Sequence, residues 1–117
     1  MIGVDICVIA RIEKMMNRFG AKALKKFLTP KEILLVKSAS NAAGFWAAKE
    51  AASKAIGTGI GAECSFFDIK ISKSAKGQPL LKYKKNLRKK FDIKESALSI
   101  THDGGFAIAV VAVETNR

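Results

Sequence analysis

Acidic residues are scarce in this chain: ten Asp and Glu stand against 21 Lys and Arg, for a formal net charge of +11. Such an excess implies an anionic partner or ligand. Cysteine is scarcer still, and Cys7 and Cys64 lie far apart without any zinc-like spacing. Cys7 sits inside an apolar run, where a buried thiol is the plain reading. No apolar stretch is long enough to span a bilayer and no charged-then-apolar leader opens the chain, so no membrane partner and a reduced, cytoplasmic setting are expected. Aromatics amount to 8% and fall mostly at apolar-periodic positions, which leaves little for a base-stacking platform. With no helix-turn-helix or RNA-recognition signature either, nucleic acid is not an expected partner, although the charge alone would fit one. Repeats, linkers and low-complexity segments are also missing.

What is present is a good core-forming composition. Apolar residues make up 49% of 117 residues, enough for one packed interior and too few for two, so residues 1–117 are expected to form one domain. Ile2 to Ile9 reads as a strand, with Ile2, Val4, Ile6 and Val8 on one face and Gly3, Asp5 and Cys7 on the other. Ile9 to Phe19 has helical spacing and Gly20 stops it. A short helix to about Leu28 follows. Thr29-Pro30-Lys31-Glu32 is a capping-box start for a helix to about Lys37. Asn41 is expected to cap a long helix over Ala42 to Ile56, ended by Gly57. Beyond the glycine-rich loop Gly57 to Gly61, strands are expected over Phe66 to Ser72 and Leu80 to Tyr83, with Gly77-Gln78-Pro79 as the turn. A basic helix, Lys84 to Phe91, precedes a hairpin of Ala97 to His102 and Phe106 to Val113 across Asp103-Gly104-Gly105. Helices in the first half and strands mainly in the second predict an α+β fold with an antiparallel sheet.

The long helix carries the most chemistry. It is apolar almost all round, as a buried helix is, and its charges are Lys49, Glu50 and Lys54. Glu50 and Lys54 are four apart and project from one face. A helix-surface ion pair is the simpler account of them. Its many alanines point instead to close backbone packing, where a charge needs a strong partner such as a metal or phosphate. Asp5 poses the same question, as the one charge in an eight-residue apolar strand. Such a carboxylate must pair with a base, accept backbone hydrogen bonds or bind a cation. Two isolated carboxylates on elements that can pack together suit Mg²⁺, a hard ion that shares its shell with phosphate and water. The glycine loop could bring backbone N–H groups to an anion or be an ordinary helix C-cap with a flexible exit; it is not a Walker loop, because it follows a helix and lacks the Gly-Lys-Ser/Thr ending. His102, the sole histidine, ends a strand at a hairpin and could donate to phosphate or lie idle at the surface.

Ile2-Gly3-Val4-Asp5-Ile6 resembles the Gly-x-Asp-Ile opening of holo-[acyl-carrier-protein] synthases. The run from Phe45 to Gly59 is similar to their central signature, Lys-Glu-Ala-x-x-Lys-Ala-x-Gly-Thr-Gly. Gly77-Gln78-Pro79 and Ser99-Ile100-Thr101-His102 resemble two later segments of that family, in the same order. The resemblance implies a small, trimeric 4'-phosphopantetheinyl transferase with coenzyme A in the cleft between neighbouring subunits. It would move the phosphopantetheine arm of coenzyme A to a serine of apo-acyl carrier protein, in support of fatty acid biosynthesis. Asp5 and Glu50 would hold Mg²⁺ against the cofactor's diphosphate, and Lys54 would contact phosphate. Thr58 and Gly59 would lie along the cofactor, Pro79 near its adenine end and His102 near its 3'-phosphate. Arg11, with Lys14 and Arg18 on the same helix, would meet the acidic carrier. The base that takes the serine proton stays open among Glu50, Lys54 and a bound water. One position departs from the pattern: Phe45 stands where many members have arginine, so another cation must replace whatever that arginine touches. A non-catalytic scaffold of the same fold is the alternative, and the joint presence of Asp5, Glu50 and Lys54 speaks against it.

Overall fold

A computed structural model describes residues 1–117. In chain order its elements are β1 (Ile2–Val8), α1 (Ile9–Phe19), α2 (Ala21–Lys25), α3 (Pro30–Ile33), α4 (Ala39–Ala55), β2 (Ile69–Lys73), β3 (Pro79–Tyr83), α5 (Lys85–Lys90), β4 (Ile93–Asp103) and β5 (Phe106–Thr115). The strands form two antiparallel sheets, one of three strands in the order β1-β5-β4 and one of β2 with β3. The fold is α+β, as the order of sequence patterns predicts. No helix is long and apolar enough to cross a membrane.

The β4–β5 hairpin turns on Gly104 and Gly105, with Asp103 paired to Phe106. Both glycines have positive φ, 56° and 86°, which a two-residue turn matching the sheet's twist requires. The inner face of β5 is lined by Ala107, Ala109, Val111 and Val113, and α4 lies across it. Small residues on both sides permit that approach: Ala43, Ala47, Ala48, Ala51, Ala52 and Ala55 of α4 are all buried. Contact is tightest at Gly3 of β1, where a side chain would overlap the Ala51 carbonyl oxygen and stand 2.6 Å from the Ala55 nitrogen. Glycine at this point fixes how close the first strand sits to the long helix.

β1 therefore faces the core with Gly3 and Cys7. Its apolar face is the exposed one, from 73% at Ile2 to 46% at Val8. The pairing of Val4 with Val110 and Val8 with Phe106 continues this apolar surface onto β5.

Several boundaries move for local reasons. Ser38 caps α4, accepting from the Asn41 N–H at 3.1 Å, so the helix begins three residues before the expected start at Ala42. Asn41 is not the cap; its Oδ1 accepts from the Lys37 N–H instead. The Thr29–Glu32 capping box forms as read, but the helix it opens ends at Ile33. A second box, Ser65 with Asp68, winds Phe66–Asp68 into a 3-10 turn where a strand was expected, and β2 starts at Ile69.

Two polar groups are buried in the core and satisfied there. Lys49 is wholly buried, its Nζ donating to Glu32 Oε1 (2.8 Å), Phe27 O (2.8 Å) and Phe66 O (2.9 Å). Glu32 Oε1 also accepts from the Thr29 N–H and Oε2 from the Ile71 N–H, so one ion pair ties α3, α4 and β2 together. Tyr83 donates to Ala52 O at 2.7 Å, locking β3 to α4.

Candidate active site

The alternation of β1 sends Asp5 to the same side as Gly3 and Cys7, towards α4. There it meets Lys54, whose Nζ lies 2.8 Å from Asp5 Oδ1 and 3.5 Å from the Val4 carbonyl. The pair joins residues 49 positions apart in the chain. Lys54 does not pair with Glu50, its neighbour one helical turn away; it reaches across to the strand instead. Asp5 is largely covered, with its side chain 15% exposed, whereas Lys54 is half open at 51%. The bond to Asp5 raises the pKa of Lys54, so its ammonium stays charged.

Glu50 is half-buried on the same part of α4. Burial pushes its carboxyl up from the usual range, and the nearby Asp5 charge adds to the shift; Lys54 and Arg11 oppose it. A half-buried carboxylate whose proton affinity is raised by a second one nearby is a poor arrangement without a ligand and a good one for a cation. Arg11 is the fourth charge of the cluster. One turn into α1, its guanidinium sits 5.7 Å over the Trp46 ring and 3.8 Å from the Cys7 sulfur. Burial raises the thiol's pKa, so Cys7 is a neutral, core-facing group. Trp46 itself packs edge-on against Phe27 and at a tilt against Phe66, at centroid distances of 5.0 and 4.8 Å. A rigid aromatic wedge thus supports this side of the site.

The remaining candidates separate into two places. Thr58 and Gly59 follow α4, but their backbone N–H groups both donate to Ser53 O, at 3.1 and 3.2 Å, and that of Gly57 to Lys54 O. The Gly61 N–H bonds Cys64 O. The loop is a wound helix C-terminus whose donors are mostly taken, which favours the helix C-cap over a cradle of free N–H groups. Pro79 and His102 lie together, lining a cavity of about 140 Å³ with Asn41, Gly44, Phe45, Lys73 and Ile100. His102 Nε2 donates to Ser40 O at 2.9 Å. Lys14 and Arg18 are exposed on α1, three and seven residues beyond Arg11 and hence on its face. Phe19, beside them, is exposed and covered by Arg18 and Lys26, while Met15 and Met16 pack on the core.

Two features escaped the sequence reading. The Lys49–Glu32 pair gave one signal, the lack of any polar face on α4 for Lys49 to occupy. Arg11's place beside Glu50 gave none, because it depends on the angle at which α1 leaves β1.

Residues 1–111 match the family model described as the 4'-phosphopantetheinyl transferase superfamily. The holo-[acyl-carrier-protein] synthase of Aliarcobacter butzleri is 67% identical over 111 residues, 95% of this chain and 94% of that protein. Its counterpart from Nautilia profundicola is 65% identical over 95% of this chain and 96% of its own length. Among solved structures, Helicobacter pylori holo-[acyl-carrier-protein] synthase in complex with coenzyme A superposes with a TM-score of 0.93 at 55% identity, covering 97% of this chain and all of that one. With the signature residues gathered at the junction of β1 and α4 and the match running almost end to end, this chain belongs to the 4'-phosphopantetheinyl transferase superfamily, in its holo-[acyl-carrier-protein] synthase group.

Proposed function

We propose that the Asp5–Glu50–Lys54 cluster transfers 4'-phosphopantetheine from coenzyme A to a serine of apo-acyl carrier protein with Mg²⁺. The carrier serine oxygen attacks the β-phosphorus of coenzyme A. The bond from that phosphorus to the bridging oxygen breaks, and adenosine 3',5'-bisphosphate leaves. Reactions of this kind are dominated by alignment and charge neutralisation. The observation that carries the reading is the convergence of two partly covered carboxylates and one charged lysine from distant segments.

The donor set fits a hard divalent ion. Asp5 and Glu50 offer oxygen alone, and no third acid, histidine or cysteine joins them, so most of such an ion's shell is left for phosphate and water. When bound, Mg²⁺ would offset the diphosphate charge and fix its oxygens. Lys54 contributes a fixed positive charge to the transferring phosphate. Because Asp5 keeps Lys54 protonated, the serine proton goes to Glu50 or to a bound water.

Arg11, Lys14 and Arg18 form a basic stripe leading away from Glu50, suited to an acidic carrier. Thr58 and Gly59 contribute their side-chain and carbonyl surface to the cofactor, since their N–H groups are engaged. The exposed apolar face of β1 and β5 supports assembly into a homotrimer, which would cover Val4, Ile6 and Val110 and bring active-site clefts to subunit boundaries. We place the reaction in the cytoplasm, where the two free thiols Cys7 and Cys64 stay reduced.

Incubation with apo-carrier, coenzyme A and Mg²⁺, followed by weighing the carrier by mass spectrometry, tests the reading. Glu50→Ala is expected to abolish the mass gain while retaining the wild-type melting temperature. Near wild-type turnover by that variant would refute the site. Sedimentation of the active species tests the trimer, and a monomer that transfers at full rate would refute it.

A further inference from the structure

The cavity containing His102 and Pro79 holds one lysine, and that lysine has no protein partner. We infer that Lys73 is the cation that recognises the 3'-phosphate of coenzyme A and makes this chain prefer it to dephospho-coenzyme A; this rests on the transferase reading above. Lys73 ends β2, is exposed, and lies opposite Pro79 across the β2–β3 pair. It takes part in none of the five ion pairs of the chain, which engage Lys49, Lys54, Lys84, Lys90 and Lys94.

Three observations place a nucleotide phosphate there. The first is distance. The cavity opens beside Gly44, six residues before Glu50 on α4, or about 9 Å along the helix axis. If the diphosphate lies at Glu50, the next charged group of the cofactor is one ribose further on. The second is space. At Gly44 a Cβ would stand 3.0 Å from Ile100 Cγ2 and 3.2 Å from His102 Nε2, so the missing side chain lets His102 dock on the helix and keeps the cavity open. The third is charge. Phe45 is buried at 3% and brings no cation to the wall. His102 has its Nε2–H committed to Ser40 O, leaving only Nδ1, which donates to an anion solely in the doubly protonated ring. Lys73 is the one lining group that brings a positive charge with three free donors.

The transfer assay with Lys73→Met, run with coenzyme A and with dephospho-coenzyme A, decides the matter. Loss of a charge-assisted contact predicts a KM for coenzyme A roughly 10- to 100-fold higher, kcat little changed, and no change with dephospho-coenzyme A. Lys73→Arg is expected to keep most of the preference. Calorimetric titration with adenosine 3',5'-bisphosphate and adenosine 5'-monophosphate should show the same loss of discrimination without turnover. If Lys73→Met retains the wild-type ratio between the two cofactors, the inference is overturned while the transferase reading stands. If His102→Gln alone removes the ratio, the phosphate is held by the imidazole and the inference is again overturned. A wild-type protein that transfers from neither cofactor overturns both.

Discussion

Lys49 and Lys54 leave the same helix five residues apart and both end in an ion pair, yet they belong to different parts of the physics. Lys49 is sealed in the core, with three oxygen acceptors and a carboxylate that is itself fully hydrogen-bonded. Burial lowers its pKa, and the Glu32 contact works against that shift. Lys54 is half open, tied to one carboxylate, with its pKa raised by that partner. The first pair is insulated and complete; the second is accessible and has donors to spare. Structural and chemical charges are told apart here by what remains unsatisfied around them.

The contrast can be broken most sharply at Lys49. Lys49→Met strands the Glu32 carboxylate in the core, and the loss is expected to be about 3–5 kcal/mol, enough to unfold much of a marginally stable domain. A urea midpoint close to wild type would show that the pair is dispensable. Removing both charges together, as Lys49→Met with Glu32→Leu, should recover a good part of the loss. Next in size is Lys54→Met, expected to cut transfer by about 10²-fold, roughly 2.7 kcal/mol of barrier, while changing stability by no more than ~1 kcal/mol. If it unfolded the chain as Lys49→Met does, the distinction between the two lysines would vanish.

The smallest effect sharpens the comparison with a neutral buried group. Tyr83→Phe removes the bond to Ala52 O and is expected to cost about 1 kcal/mol. Burial raises the Tyr83 pKa well above its ordinary value of 10.0. Above that pH the unfolded chain releases the phenol proton and the folded chain keeps it, so stability declines as pH rises from there. Tyr83→Phe should flatten that alkaline decline in a denaturation series. An unchanged slope would mean that other groups control it.

These differences also mark what the sequence could reveal. Asp5 and Glu50 were legible because each is a lone acid in an apolar segment, and the packing of β1 on α4 brings them together. The partner of Lys54 was not, because i and i+4 spacing favours Glu50, whereas the depth of Gly3 on the helix decides for Asp5. Lys49 looked like one more charge because its partner lies 17 residues away, on a helix of four residues. Ser38 and Asn41 can both cap α4, and the choice between them falls to the turn before the helix. Phe66 and Phe67 have strand character, but the flanking Ser65 and Asp68 close a local box first. Hydrophobic alternation gave the faces of β1 correctly and left open which face would stay outside; the close-packing needs of an alanine-rich helix settled that.

Position 3 joins these themes. Glycine is a weak strand former, and an engineer seeking a firmer N-terminal strand would replace it first. Any larger residue would act as a wedge between β1 and α4, and Asp5, two residues on, would be carried away from Glu50. At that one position, hardening the scaffold and keeping the two carboxylates together are opposing aims.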